Sequence, residues 1–180
     1  MSRLKRIYLP NHCYFITTTA YGRQRLFVSD AVNEVLVGAL DFCRGALLFQ
    51  MLGYVIMPDH MHILVLPEGE ADITRVMHSF KNYTGRTIKK MLGLETPVWQ
   101  HQFYDHVIRS DADLRTRLEY MHGNPVRQGL VERIEEYRWC SWRNYFMDDH
   151  SAIMIDTGFV RPRREGVASD IQCRDGEDGS

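Results

Sequence analysis

Two apolar stretches separated by only two residues constrain this chain more than anything else in it. Gly53–Met57 (GYVIM) and His60–Leu66 (HMHILVL) flank Pro58–Asp59. Both stretches are short, apolar and bounded by turn residues and read as strands, and a Pro-Asp pair between them reads as a tight turn. Ala46–Gln50 extends the first strand backwards, with a bulge expected at Leu52–Gly53. Pro67 stops the second. Strand side chains alternate faces, so His60 and His62 point one way and Met61, Ile63 and Val65 the other.

The remaining elements follow from capping signals and periodicity. Tyr14–Thr19 (YFITTT) reads as a strand. Ser29–Asp30 caps a helix to about Arg44, with Val32, Val35, Leu36, Ala39, Leu40 and Cys43 on one stripe. Asp72 caps a long helix to about Leu92, with Ile73, Val76, Met77 and Phe80 inward. A further strand lies within Val98–Ile108. Asp111 is expected to cap a helix from Ala112 to about His122, broken near Gly123–Asn124–Pro125. The rest, to about Phe146, is aromatic, with Trp139 and Trp142 read with Trp99 as core residues first and base-stacking platforms second.

The order βαββαβ, then an extra helix, is that of an α+β, ferredoxin-like or RRM-like antiparallel sheet with two helices on one face. The other face is expected to be open for a site. Residues 1–160 read as one domain, and 161–180 as a polar, flexible tail. The fold hosts many unrelated functions and decides none.

Charge enters through its distribution, since the net value is -1. Arg3, Lys5, Arg6, Arg23 and Arg25 lie in a stretch without an acid, and so do Arg75, Lys81, Arg86, Lys89 and Lys90. Such patches suit a polyanion, although a solvated helix face has the same composition. Cys13, Cys43, Cys140 and Cys173 form no CxxC pair, which argues against a zinc–cysteine site and a disulfide framework. No secretory signal and no apolar run long enough for a membrane is read, and a reducing, cytoplasmic setting is expected.

Two imidazoles on one sheet face can bind one metal ion, although strands also place histidines this way by chance. In Leu118–Pro125, Tyr120 and Asn124 stand four residues apart and share a helix face. A tyrosine hydroxyl can attack a phosphodiester where a metal offsets the developing charge, and an amide oxygen can ligate a hard cation beside it. Asp105 and His106 are candidates to orient a ligand histidine.

The segment Gly53–Leu64 (GYVIMPDHMHIL) resembles the HUH strand of single-tyrosine transposases. Trp99–Arg109 (with FYDHVIR) and Tyr120–Val131 (YMHGNPVRQGLV) resemble the REP-associated branch, and the likeness runs from about Tyr14 to Tyr145. Three motifs in order are far more specific than an HxH alone. The resemblance implies that His60, His62 and Asn124 ligate Mg²⁺ or Mn²⁺. It implies that Tyr120 is the nucleophile, forming a 5′-phosphotyrosine link and freeing a 3′-hydroxyl. It also implies single-stranded DNA carrying a REP-type hairpin as substrate, and it allows a monomer, which is expected over a homodimer. Arg3, Lys5, Arg6, Arg75, Lys81, Arg86 and Lys89 are then the candidate backbone contacts.

Rival readings keep the fold and change the chemistry. One is a non-catalytic nucleic-acid-binding module, but Leu64 beside His60 and His62 breaks the expected pattern of stacked aromatics. Another is a metal–water phosphodiesterase in which Tyr120 only packs. A third, a replication initiator or relaxase of the wider HUH group, shares the covalent step.

Overall fold

The structure is a computed structural model that describes residues 12–46, 49–69 and 71–156. Its elements are β1 (Tyr14–Thr19), α1 (Asp30–Gly45), β2 (Phe49–Met57), β3 (His60–Pro67), α2 (Ile73–Leu92), β4 (Tyr104–Val107), α3 (Asp111–Arg127) and α4 (Trp142–Met147). The four strands form one sheet in the order β2-β3-β1-β4, every pairing antiparallel. This is the α+β arrangement that the element order implies. The expected tail, 161–180, lies outside the described residues, as do Arg3, Lys5 and Arg6.

Local chemistry sets the helix starts. Ser29 Oγ accepts from Val32 N, and Asp72 Oδ1 accepts from Thr74 N and Arg75 N. Ser110, not Asp111, caps α3, with its Oγ 3.2 Å from Asp113 N. Asp111 instead falls in the first turn, where an acid complements the exposed N–H groups.

The β2 bulge lies between Met51 and Gly53 and resets the side-chain parity. Upstream Phe49 and Met51 therefore share a face with Tyr54 and Ile56, in the core under α1 and α2. Leu52, Val55 and Met57 fall on the opposite face. That face, expected to be open, instead carries α3. Leu114, Leu118 and Met121 pack there against Phe15, Leu52, Val55 and Leu64. Gly53 permits the close approach, because a Cβ there would lie 2.8 Å from Met121 Cε and 2.9 Å from Leu118 Cδ2.

α3 also corrects the expected break. It continues through Pro125 to Arg127. Pro125 removes the N–H that would donate to the Met121 carbonyl, a loss confined to one bond because the helix ends two residues later. Gln128 N then donates to Asn124 O and Leu130 N to Pro125 O, closing the end. Met121, His122, Asn124 and Pro125 are all buried, so packing holds the turn.

The aromatic C-terminal segment closes the β2 edge. Ile56 N donates to Trp139 O and Ser141 N to Tyr54 O. Tyr137 and Tyr145 donate their hydroxyls to the Ile56 and Leu52 carbonyls. Trp99 and Trp139 are buried, with indole N–H groups on Thr84 and Asp30, so both are structural.

Candidate active site

The register puts Thr17 opposite His62 and Thr19 opposite His60. Side chains of these rows share a face, so both imidazoles stand on the α3 side of the sheet. Their ring centroids are 4.8 Å apart. His60 Nδ1 is 2.6 Å from Asp59 Oδ1. An ionised carboxylate only accepts, so Nδ1 carries the proton and a neutral His60 keeps its Nε2 lone pair. Burial alone would raise the Asp59 carboxyl. The hydrogen bond and charge of His60, with Arg23 beside it, hold it below the usual carboxylate range.

His62 is 4% exposed, its Nδ1 is 2.8 Å from Thr17 Oγ1, and Phe15 stacks on it at 5.0 Å. Its Nε2 is buried without a hydrogen-bond partner. Burial and the neighbouring His60 push this imidazole down to about 3, so it is neutral at any working pH, as a metal ligand must be.

α3 brings Tyr120 over the pair. The phenol ring lies 5.5 Å from the His62 ring and 6.2 Å from Phe15, and the residue is 45% exposed. Asn124, one turn on, is buried. Its Oδ1 accepts from Arg127 Nη2 at 2.7 Å, and its Nδ2 is buried without a partner. The Arg127 guanidinium stands 5.0 Å from the Tyr120 ring centroid and also donates to the Tyr120 carbonyl. Arg117 lies over Phe15 at 5.5 Å, close to Asp113 and His106.

The sequence-predicted residues thus divide. His60, His62 and Tyr120 come together, and Asn124 follows one turn beyond Tyr120 on α3. Asp105 pairs with Ile16 and so belongs to the face under α1 and α2, away from the histidines. His106 shares the site face, but its Nε2 is 2.9 Å from Asp113 Oδ2. The residues that do orient the imidazoles are Asp59 and Thr17. Arg75, Lys81, Arg86 and Lys89 lie on α2, across the sheet from Tyr120. Lys81 donates to the Gln100 and His101 carbonyls, and Lys89 to that of Glu95.

Arg117 and Arg127 were missed by sequence reasoning. With Tyr120 and Asn124 they form one stripe at i, i+3, i+7 and i+10. That stripe is visible only if the helix passes Pro125. Among the described residues no group of three or more His, Cys, Asp or Glu is placed to hold a metal. Two imidazoles, one with an orphaned nitrogen, still suit a divalent ion if amide, phosphate or solvent oxygens complete the set.

The profile of the family described as Transposase IS200 like matches residues 9–124. A REP-associated tyrosine transposase of Escherichia coli is 28% identical over 145 residues, covering 76% of this chain and 80% of its own. A Haemophilus influenzae protein named for the same group is 28% identical over 152 residues, covering 79% of this chain and 86% of its own. A solved structure of a REP-associated tyrosine transposase bound to a REP hairpin matches with a TM-score of 0.65 and 25% identity. The match covers 94% of this chain and 100% of that one.

Proposed function

The chain belongs to the IS200-like transposase family, and from that premise we propose that it is a single-tyrosine nuclease and strand transferase acting on single-stranded DNA with a REP-type hairpin. The observation that carries the reading is Tyr120 held 5.5 Å from His62, above the His60–His62 pair. The substrate class rests on the hairpin-bound relative. One chain supplies every residue named, so the chemistry needs no second copy.

The phenolic oxygen of Tyr120 attacks the scissile phosphorus and gives up its proton. The bond from phosphorus to the 3′-oxygen breaks, and that oxygen leaves as a 3′-hydroxyl after taking up a proton. A 5′-phosphotyrosine remains. The number of phosphoester bonds is unchanged, so a second 3′-hydroxyl can reverse the step without an external energy source. His60 and His62, through Nε2, and Asn124, through its amide oxygen, would hold Mg²⁺ or Mn²⁺. When bound, that ion offsets charge developing on the phosphate. Asp59 fixes the His60 ring, while Phe15 and Arg127 both contact the phenol ring.

Labelled REP-hairpin DNA incubated with Mn²⁺ and run on denaturing gels tests this reading. A covalent protein–DNA band is expected, and Tyr120→Phe should remove it and lower cleavage by about three orders of magnitude or more. Cleavage that survives Tyr120→Phe would instead identify a metal–water phosphodiesterase. The α2 cations face away from the cut, so they are proposed as contacts to distant backbone. Joint replacement of Arg75, Lys81, Arg86 and Lys89 by Ala should weaken binding for every sequence and flatten its salt dependence. A loss confined to one sequence would rule this out.

A further inference from the structure

Arg127 is an exposed side chain on the last turn of α3, yet its guanidinium is folded back along the helix rather than extended into solvent. It touches Asn124 Oδ1 at 2.7 Å, the Tyr120 carbonyl, and the Tyr120 ring face at 5.0 Å. All three partners are neutral, and a guanidinium binds a phosphate more strongly and in a bidentate fork. The contact also occupies one of the two lone pairs of the Asn124 side-chain oxygen, the atom there that could ligate a cation, and sets a positive charge beside it, while the amide nitrogen of the same side chain is buried and unpartnered.

Gly123 is the second, independent observation. It sits inside the helix, where glycine is a poor residue, and a Cβ there would lie 3.1 Å from Arg127 Cζ and closer still to Nη1. The bare position makes the space in which the guanidinium is parked. Tyr120, Gly123, Asn124 and Arg127 therefore work as a unit on one helical stripe.

We propose that Arg127 is a positioning residue that exchanges partners: parked on Tyr120 and Asn124 in the DNA-free protein, it transfers to a backbone phosphate of the bound strand and so releases the Asn124 amide oxygen. This inference rests on the reading of Asn124 as a ligand given above. DNA binding then completes the cation site, and the free protein holds a cation weakly.

The test uses the full chain and the variants Arg127→Met, Arg127→Lys and Gly123→Ala, with two readouts that do not depend on cleavage. The first is binding of REP-hairpin DNA in chelator across a salt series. Arg127→Met should flatten the slope of log K against log salt by about 0.7, the contribution of one single-strand phosphate contact, and Arg127→Lys should restore it. The second is calorimetry with Mn²⁺ alone. Arg127→Met should bind Mn²⁺ severalfold more tightly than the parent, because the amide oxygen is no longer engaged. Gly123→Ala evicts the same guanidinium and should also tighten Mn²⁺ binding, with a melting temperature equal to the parent's or higher. An unchanged salt slope, or unchanged Mn²⁺ affinity, in Arg127→Met overturns the exchange. If the parent makes no covalent adduct while both readouts shift as stated, the nuclease reading fails and the exchange stands. A parent that does not bind the hairpin overturns both.

Discussion

Asp59 accepts from His60 Nδ1 at 2.6 Å with one oxygen and pairs Arg23 at 3.2 Å with the other. The imidazole ring is thereby locked with Nε2 turned from the carboxylate. Outer partners of this kind, when removed, cost about 10–100-fold in metal affinity. Asp59→Asn should therefore weaken Mn²⁺ binding by about that factor with little change in melting temperature, measured by calorimetry and thermal unfolding. Asn124→Ala in the DNA-bound protein should weaken it too, and unchanged affinity would mean that the histidines and solvent oxygens suffice. The histidine pair was legible in the sequence because strand parity alone puts residues 60 and 62 on one face. The roles of Asp59 and Thr17 were not. A Pro-Asp turn accounts for Asp59 without any histidine, and Thr17 meets His62 only through a β1–β3 register that no local pattern encodes. Asp105 and His106 drew attention by lying in the next strand, and the register then assigned them to opposite faces.

Among the elements, α3 decides how far the nucleophile stands from the sheet. It is seated by Leu118 and Met121 over Gly53, and by His122 Nε2 on Ser141 Oγ at 2.9 Å, the same hydroxyl that accepts from Tyr54 N. A methyl group at Gly53 has no room without moving these side chains, and overpacking of this kind costs about 1–3 kcal/mol. Gly53→Ala should lower stability by that amount in urea unfolding. It should lower cleavage by more than the lost folded fraction explains, since a shift of about 1 Å at a reacting group can cost about 100-fold. Cleavage falling only in proportion to folded protein would show that α3 tolerates the shift. The sequence revealed the existence of α3 and the face that carries Tyr120 and Asn124, but not its length. Gly-Asn-Pro is a strong local stop signal, overridden here because Met121, His122, Asn124 and Pro125 are all buried by tertiary packing. Nor could local pattern show that α3 covers the second sheet face, since its inward residues contact strands far away in sequence.

At the scale of the whole molecule, two histidines sit in apolar surroundings on the same side of the sheet. Burial, and for His62 also the neighbouring His60, pushes His62 and His122 down to about 3. Unfolding returns each to about 6.5. The unfolded chain therefore binds more protons between those values, and stability rises with pH across that window and falls as the solution is acidified through it. Asp149 acts in the same direction at lower pH. Hydrogen bonds from Ser151 and Arg143 hold its carboxyl at about 2, so its contribution is complete above the ordinary carboxylate range and is lost only below it. Acid sensitivity should thus begin well above the carboxylates, near pH 6.5, because of the histidines. In chelator, each buried neutral histidine should remove about 2 kcal/mol of stability on going from pH 7 to pH 5. His122→Gln has no group that titrates in this range and can still reach Ser141, so it should lose about half of that combined dependence. Urea unfolding of parent and variant at the two pH values measures it. Parallel losses in both proteins would mean that His122 is already protonated in the folded state, or that the helix opens to water before it charges.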